Sequence, residues 1–238
     1  DELENIFPSA KILRMDADTT MARYSYQNKL TAFANGEYDI MLGTQMVAKG
    51  LDFPRVTLVG IISIDQQLYN DDFRSSERAF DLLTQVIGRS GRGDYAGKAY
   101  IQTVLPDNDI IELSASQDYE SFYETENIIR KSMVYPPYCD ICSVTFLSEQ
   151  YNKSIGGANT FFQMLKDAVT NEYADVKINV LGPIQPRVNK ISNKYRHVLT
   201  IKCKNNKRFR EMMSKVLAEY MRKTQSGGAT AVVDINPL

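Results

Sequence analysis

The stretch Gln85-Val-Ile-Gly-Arg-Ser-Gly-Arg92 ends an apolar-faced segment with two arginines three positions apart. Upstream of it Ala79, Leu82, Leu83, Val86 and Ile87 recur at spacings of three and four, which predicts a helix starting near Ser75 or Ser76 and burying that stripe. Gly88 and Gly91 allow a backbone or ligand to come close, and Arg89 and Arg92 can project together from neighbouring turn positions. Two permanent cations with planar donor forks suit a triphosphate, whose transferring group gains charge in the transition state. The alternative is a helix C-terminus whose arginines only compensate the dipole.

A second stretch decides between these. Gly43-Thr-Gln-Met-Val-Ala-Lys-Gly-Leu-Asp-Phe-Pro54 comes directly after the apolar run from Tyr38 to Leu42. A strand entering a Gly-Thr turn and a polar, cationic loop is the strand-end site of an α/β sheet. In order and separation the pair resembles motifs V and VI of superfamily 2 helicases. With Tyr135-Pro-Pro-Tyr138 and Leu181-Gly-Pro183, it resembles the PriA (primosomal protein N′) family of replication-restart helicases in particular, over nearly the whole chain.

By that resemblance, a mechanism and a set of roles are implied. Members of that family clamp ATP between two RecA-like lobes and step along single-stranded DNA, and residues 1–134 would be most of the second lobe. Arg89 and Arg92 would be arginine fingers, catalytic only when the lobes close, and Gln85 would sense the nucleotide. Gly50 and Asp52 would line the nucleotide edge, although Asp52 also suits a simple turn before Pro54. Thr44, Gln45 and Lys49 would donate to the DNA backbone without reading sequence, although a lone Lys49 also suits a solvated loop. ATP and Mg2+ are the implied cofactors of the intact enzyme. The chain carries no G-x-x-x-x-G-K-[ST] and no acidic Walker B strand, so the phosphate cradle and magnesium ligands are expected on another part, and this piece alone is expected to be inactive. The family's zinc module is also expected to lie outside it.

The near-neutral total charge of −1 hides an asymmetry. Residues 1–150 hold 13 Lys/Arg against 23 Asp/Glu, whereas residues 187–223 hold 12 against Glu211 and Glu219 alone. The basic end is a candidate anion-binding surface: Arg187, Lys190, Lys194 and Arg196 line a loop and strand start, and Lys202, Lys204, Lys207, Arg208 and Arg210 cluster at the next strand-to-helix junction. Tyr195 and Phe209 stand among them as candidates for stacking on bases. In proteins of the resembled family this region contacts single-stranded and forked DNA and the acidic tail of single-stranded-DNA-binding protein, within an assembly of primosome and helicase-loading proteins.

No apolar run has transmembrane length and no signal-like segment opens the chain, so a cytoplasmic protein is expected, and the resemblance implies association with the nucleoid. Cys139 and Cys142 form a CxxC without a second pair. With Cys203 and His197 they make a thin ligand set, and cysteine as a small core residue is the better reading. No metal-binding residue is assigned.

Element by element, strands are expected over 10–15, 38–43, 56–64 and 97–104, the third covered on both faces. Helices are expected over 21–35, closed by Gly36, over 75–90, and over 110–133 after an N-cap in Leu105-Pro-Asp-Asn-Asp109. Asp65 to Phe73 is expected as a polar surface loop. This is a mostly parallel α/β lobe. Tyr135-Pro-Pro-Tyr138 ends it, with 135–140 as linker. Residues 141–238 then take a βαββαβ, ferredoxin-like order as a smaller α+β domain for DNA and partners. Starting without Met, the sequence is expected to be a piece of a longer protein. Two other functions compete: a RecG-like superfamily 2 translocase, disfavoured by the YPPY linker and the βαββαβ domain after it, and a non-catalytic binding module on a helicase scaffold.

Overall fold

A computed structural model describes residues 2–15, 23–44, 53, 55–88, 97–224 and 227–237. The chain divides into two units, Asp1–Glu126 and Asn127–Leu238, and the residues expected as a linker fall inside the second.

In the first unit, after α1 (Glu2–Ile6), β1 (Ile12–Met15) pairs in parallel with β2 (Ile40–Gly43) from Ile12 opposite Ile40 to Met15 opposite Gly43. The intervening α2 (Arg23–Ala34) ends at Gly36, whose φ of 81° is the left-handed conformation that glycine adopts without cost. Leu13, Met15, Leu30 and Phe53 form its core, with Phe33 edge-on to Phe53 at 5.1 Å. A second parallel pair joins β3 (Leu58–Ile61) to β4 (Lys98–Ile101). β3 differs from expectation: Leu58 and Ile62 are exposed. Only one of its faces is covered among the described residues, where Ile61 and Ile64 meet Ala79 and Leu83 of α4 (Ser75–Ile87) and Ile111 of α5 (Asp109–Ser116).

Two further departures have polar causes. Asp65 to Phe73 is not a loop throughout. α3 (Asp65–Leu68) opens it, and the Asp65 carboxylate accepts from Thr103 Oγ1 at 2.7 Å. Asp72 accepts from Arg74 N at 3.0 Å and pairs with Arg78 at 2.9 Å. Burial works against the Asp72 charge, yet these two arginines hold its carboxyl below the ordinary carboxylate range. The single helix expected over 110–133 is two, α5 and α6 (Tyr119–Met133). Asn108 caps α5 by accepting from Ile110 N at 3.0 Å. Gln117 at φ 55° breaks the run, and Asp118 begins the next helix by accepting from Ser121 N at 3.0 Å. Phe80 of α4 stacks on Phe122 of α6 at 4.1 Å.

The second unit is a sheet of order β6-β8-β5-β9, built from β5 (Asp140–Ser148), β6 (Asn179–Ile184), β8 (Lys194–Cys203) and β9 (Thr230–Ile235), every neighbour antiparallel. A short β7 (Lys190–Ile191) hairpins onto the start of β8. Alternation sends Cys142, Val144 and Phe146 of β5 and Leu199, Ile201 and Cys203 of β8 into one core. They meet Phe161 and Leu165 of α7 (Tyr151–Thr170) and Phe209, Met212, Val216 and Tyr220 of α8 (Lys207–Thr224). Cys142 and Cys203 are thus core residues, their thiols pushed by burial up to about 11 and about 12. Among the described residues no group of His, Cys, Asp or Glu is placed to hold a metal.

The helices approach closely at Gly157, where a Cβ would stand 2.5 Å from Tyr220 Oη and 2.8 Å from Ala229 Cβ. That hydroxyl is committed, donating to Ala229 O at 2.8 Å, so it cannot swing away without loss. Gly157→Ala is therefore expected to destabilise the second unit by about 1–3 kcal/mol, the usual cost of overpacking, measurable by urea unfolding. Unchanged stability would mean that this contact is loose.

Candidate functional site

Of the residues expected on the nucleotide side, the structure describes Gln85. α4 buries Ala79, Phe80 and Leu83, which leaves Gln85 exposed on its last turn. Ser75 Oγ donates to Asn70 O at 2.8 Å at the start, and Gly88 N donates to Thr84 O at 3.0 Å at the end. Gly88 keeps right-handed helical geometry at φ −64°, so it is not a left-handed cap. A Cβ there would meet Thr84 O of the same helix at 3.1 Å and Gln117 Nε2 at 3.6 Å. Thr44 is exposed immediately after β2, at the carboxyl end of a parallel strand pair, where α/β sheets place ligands. Arg89, Arg92, Gln45, Lys49, Gly50 and Asp52 lie outside the described residues.

The basic residues of the second unit do not form one surface. Arg187, Lys190, Lys194 and Arg196 stand at the β7–β8 hairpin, whereas Lys204, Lys207, Arg208 and Arg210 lie beyond the other end of β8. A strand of that length separates the two groups by about 30 Å. Three residues at the far end differ from their sequence reading. Phe209 is wholly buried between the helices and sheet, so it cannot stack on a base. Lys202 is only 8% exposed: its ammonium donates to Met133 O at 2.7 Å and lies 3.6 Å from the centre of the Tyr135 ring. Arg208 Nε contacts Asp175 at 3.2 Å, its Nη2 donates to Glu172 O at 2.7 Å, and its guanidinium covers the Tyr173 ring at 4.3 Å. Arg208 thus ties α8 to the α7–β6 connection rather than standing as an open phosphate donor. Lys207, 88% exposed, keeps the open character expected of it. Beside it Asp175, Lys177, Lys204, Asn206 and Arg208 line a surface depression of about 190 Å³.

Sequence reasoning missed the Lys202–Tyr135 clamp, and with it the fact that the YPPY segment is held down. Tyr138 Oη donates to Asn127 Oδ1 at 2.6 Å, and Arg130 Nη1 reaches Pro136 O at 3.4 Å. Lys202 had one available signal: it occupies a largely apolar strand, where a lysine needs a partner. His197, the chain's single histidine, is also internal. Ser154 Oγ donates to Phe146 O at 2.8 Å and lies 2.9 Å from His197 Nδ1, which leaves that nitrogen the donor. Tyr151 packs edge-on to the ring at 5.0 Å.

Two family descriptions match, together spanning most of the chain. Residues 2–94 match the helicase conserved C-terminal domain, and residues 131–238 match the primosomal protein N C-terminal domain. Architecture and motifs therefore define a helicase-type α/β unit followed by a primosomal α+β unit. Relatives include the replication restart protein PriA of Bacillus subtilis, 41% identical over 237 residues, all of this chain and 29% of that protein. Those of Thermotoga maritima and Chlamydia trachomatis are 35% and 34% identical over 99% of this chain and 30% of theirs. The chain belongs to the PriA family, matching its carboxyl-terminal part, and spans about three tenths of the length of these relatives.

Two outcomes are expected. Lys202→Ala removes a charged hydrogen bond and a cation–π contact, so it should cost about 2 kcal/mol of unfolding stability, measured by urea unfolding. Unchanged stability would mean that the clamp on Tyr135 contributes nothing. For His197, burial lowers the pKa below its ordinary value of 6.5. The unfolded chain then binds the proton more readily, so this contribution is intact above about 6.5 and is lost as pH falls through the unfolded value towards the folded one. Denaturant stability measured between about pH 7.5 and 5.5 should fall less steeply in His197→Gln. Parallel slopes would remove His197 as the cause.

Proposed function

We propose that this chain is the carboxyl-terminal part of an ATP-dependent 3′-to-5′ DNA helicase that assembles the primosome and restarts replication at stalled forks. The reading is carried by α4, which packs one face and leaves Gln85 exposed, with Arg89 and Arg92 following in the sequence. The first unit is the second RecA-like lobe, supported by its two parallel strand pairs. The second is a ferredoxin-like domain, supported by its strand order and by the two helices on one face.

Arg89 and Arg92 act as arginine fingers and Gln85 as a nucleotide sensor, while Gly50 and Asp52 border the ATP and Thr44, Gln45 and Lys49 hold the DNA backbone. ATP with Mg2+ supplies the phosphoryl group whose hydrolysis drives stepping. Its cradle and magnesium ligands come from a lobe that this sequence does not carry. Gln85, an exposed amide at the end of a rigid helix, has the right chemistry to meet a phosphate or ribose oxygen. Partners are single-stranded and forked DNA, single-stranded-DNA-binding protein and the primosome and helicase-loading proteins, and the protein works in the cytoplasm at the nucleoid. Arg187, Lys190, Lys194, Arg196 and Lys207 meet the DNA phosphates, a reading supported by the exposure of Arg187, Lys190, Lys194 and Lys207, with Arg208 contributing field rather than a free donor.

The test is a protein in which the first helicase lobe is joined to this chain. It should show DNA-stimulated ATP hydrolysis, absent from the chain alone. Arg92→Ala should lower kcat by about 10³ or more, as expected for an arginine finger, with fork binding retained. A joined protein without DNA-stimulated ATPase would overturn the enzyme reading in favour of a binding module on a helicase scaffold.

A further inference from the structure

The β7–β8 hairpin combines features that phosphate binding alone does not need. Lys190 faces Tyr195 and Ile191 faces Lys194 across the hairpin, and the two residues between them, Ser192 and Asn193, have φ of 49° and 62°. Two successive left-handed residues make the tight turn whose twist matches paired strands, so the tip is preformed. Alternation puts Ile191, Lys194 and Arg196 on one face and Lys190 with Tyr195 on the other. On that second face the Lys190 ammonium lies 4.8 Å from the Tyr195 ring centre, and Tyr195 is braced edge-on by Tyr151 of α7 at 5.7 Å. Arg196 N donates to Asn189 O at 2.9 Å, which fastens the hairpin base.

At this braced tip two aliphatic side chains face solvent, Ile191 at 49% and Val188 at 58% exposure. They sit among Arg187, Lys190 and Lys194, all exposed, and no Asp or Glu stands anywhere between Asp175 and Glu211. An apolar tip alone would suit a protein groove, and cations alone would suit a phosphate track. Aliphatic groups on a rigid cationic hairpin suit an apolar plane flanked by phosphates, which is the exposed terminal base pair where a duplex splits into single strands.

We propose that this hairpin is a wedge for the duplex–single-strand junction. Ile191 lies against the last base pair while Lys190, Lys194 and Arg187 hold the flanking phosphates. This rests on the DNA-binding reading above and assigns to one element the ability to distinguish a fork from uniform duplex or single strand.

The test uses the 238-residue chain and forked duplexes carrying 2-aminopurine either in the pair next to the junction or deep within the duplex arm. The fluorescence of this base rises when it unstacks. The wild type should raise emission at the junction position only. Ile191→Ser should bind the fork within about twofold of wild type yet lose most of the rise, and Ile191→Leu should restore it. Lys190→Glu with Lys194→Glu should weaken binding more than tenfold and flatten the dependence of log affinity on log salt by about two, one for each phosphate no longer neutralised. A bound wild type that gives no junction rise, or an Ile191→Ser that keeps it, overturns the wedge and leaves DNA binding standing. Failure of the wild type to bind any of these DNAs at low salt overturns the nucleic-acid reading itself, and the wedge with it.

Discussion

The pairing of β8 with β5 is the constraint on which the second unit depends. The two strands match from Asp140 opposite Cys203 to Ser148 opposite Tyr195 without interruption. With a side-chain period of two, that register sends His197, Leu199, Ile201 and Cys203 under the helices and leaves Arg196, Thr200 and Lys202 on the other side. A slip of one residue would exchange the sets and put two cations in the core. The same strand carries β7 at its start and leads into α8 at its end, so it also decides how far apart the basic groups stand.

Charge therefore has three fates along one short stretch of chain. Lys202 caps the end of a helix and covers an aromatic ring, Arg208 ties α8 to the segment before β6, and Lys190 and Lys194 remain at an exposed tip. All are Lys or Arg in an acid-free run, and composition cannot rank them. What separates them is whether a carbonyl, a carboxylate or a ring from a distant segment has been folded into reach. Met133 O is 69 residues from Lys202, and Asp175 is 33 from Arg208.

The first unit shows the same logic with acids. Asp65 and Asp72 fall in a stretch without periodicity, which in isolation looks like a solvated loop. In the fold Asp65 is joined to Thr103 and Asp72 is gripped by Arg74 and Arg78. Gln117 similarly breaks a helix that its hydrophobic spacing would continue, because Asp118 offers the next turn a better cap than Gln117 offers the previous one.

The sequence by itself determined the features that depend on neighbours in the chain. The packed stripe of α4, the Gly36 stop, the Asn108 cap, the strand–helix–strand order that pairs β1 with β2, and the main strand and helix order of residues 141–238 all arise from spacing and local backbone preference. The paired motifs were enough to point to the family. Only the tertiary structure decided which cations are open and which are consumed by internal contacts, that Phe209 belongs to the core, and that Tyr135 is clamped by Lys202. The physical reason is the range of the interactions. Helix caps and apolar periodicity act over a few residues, whereas a buried charge finds its partner wherever the fold brings one.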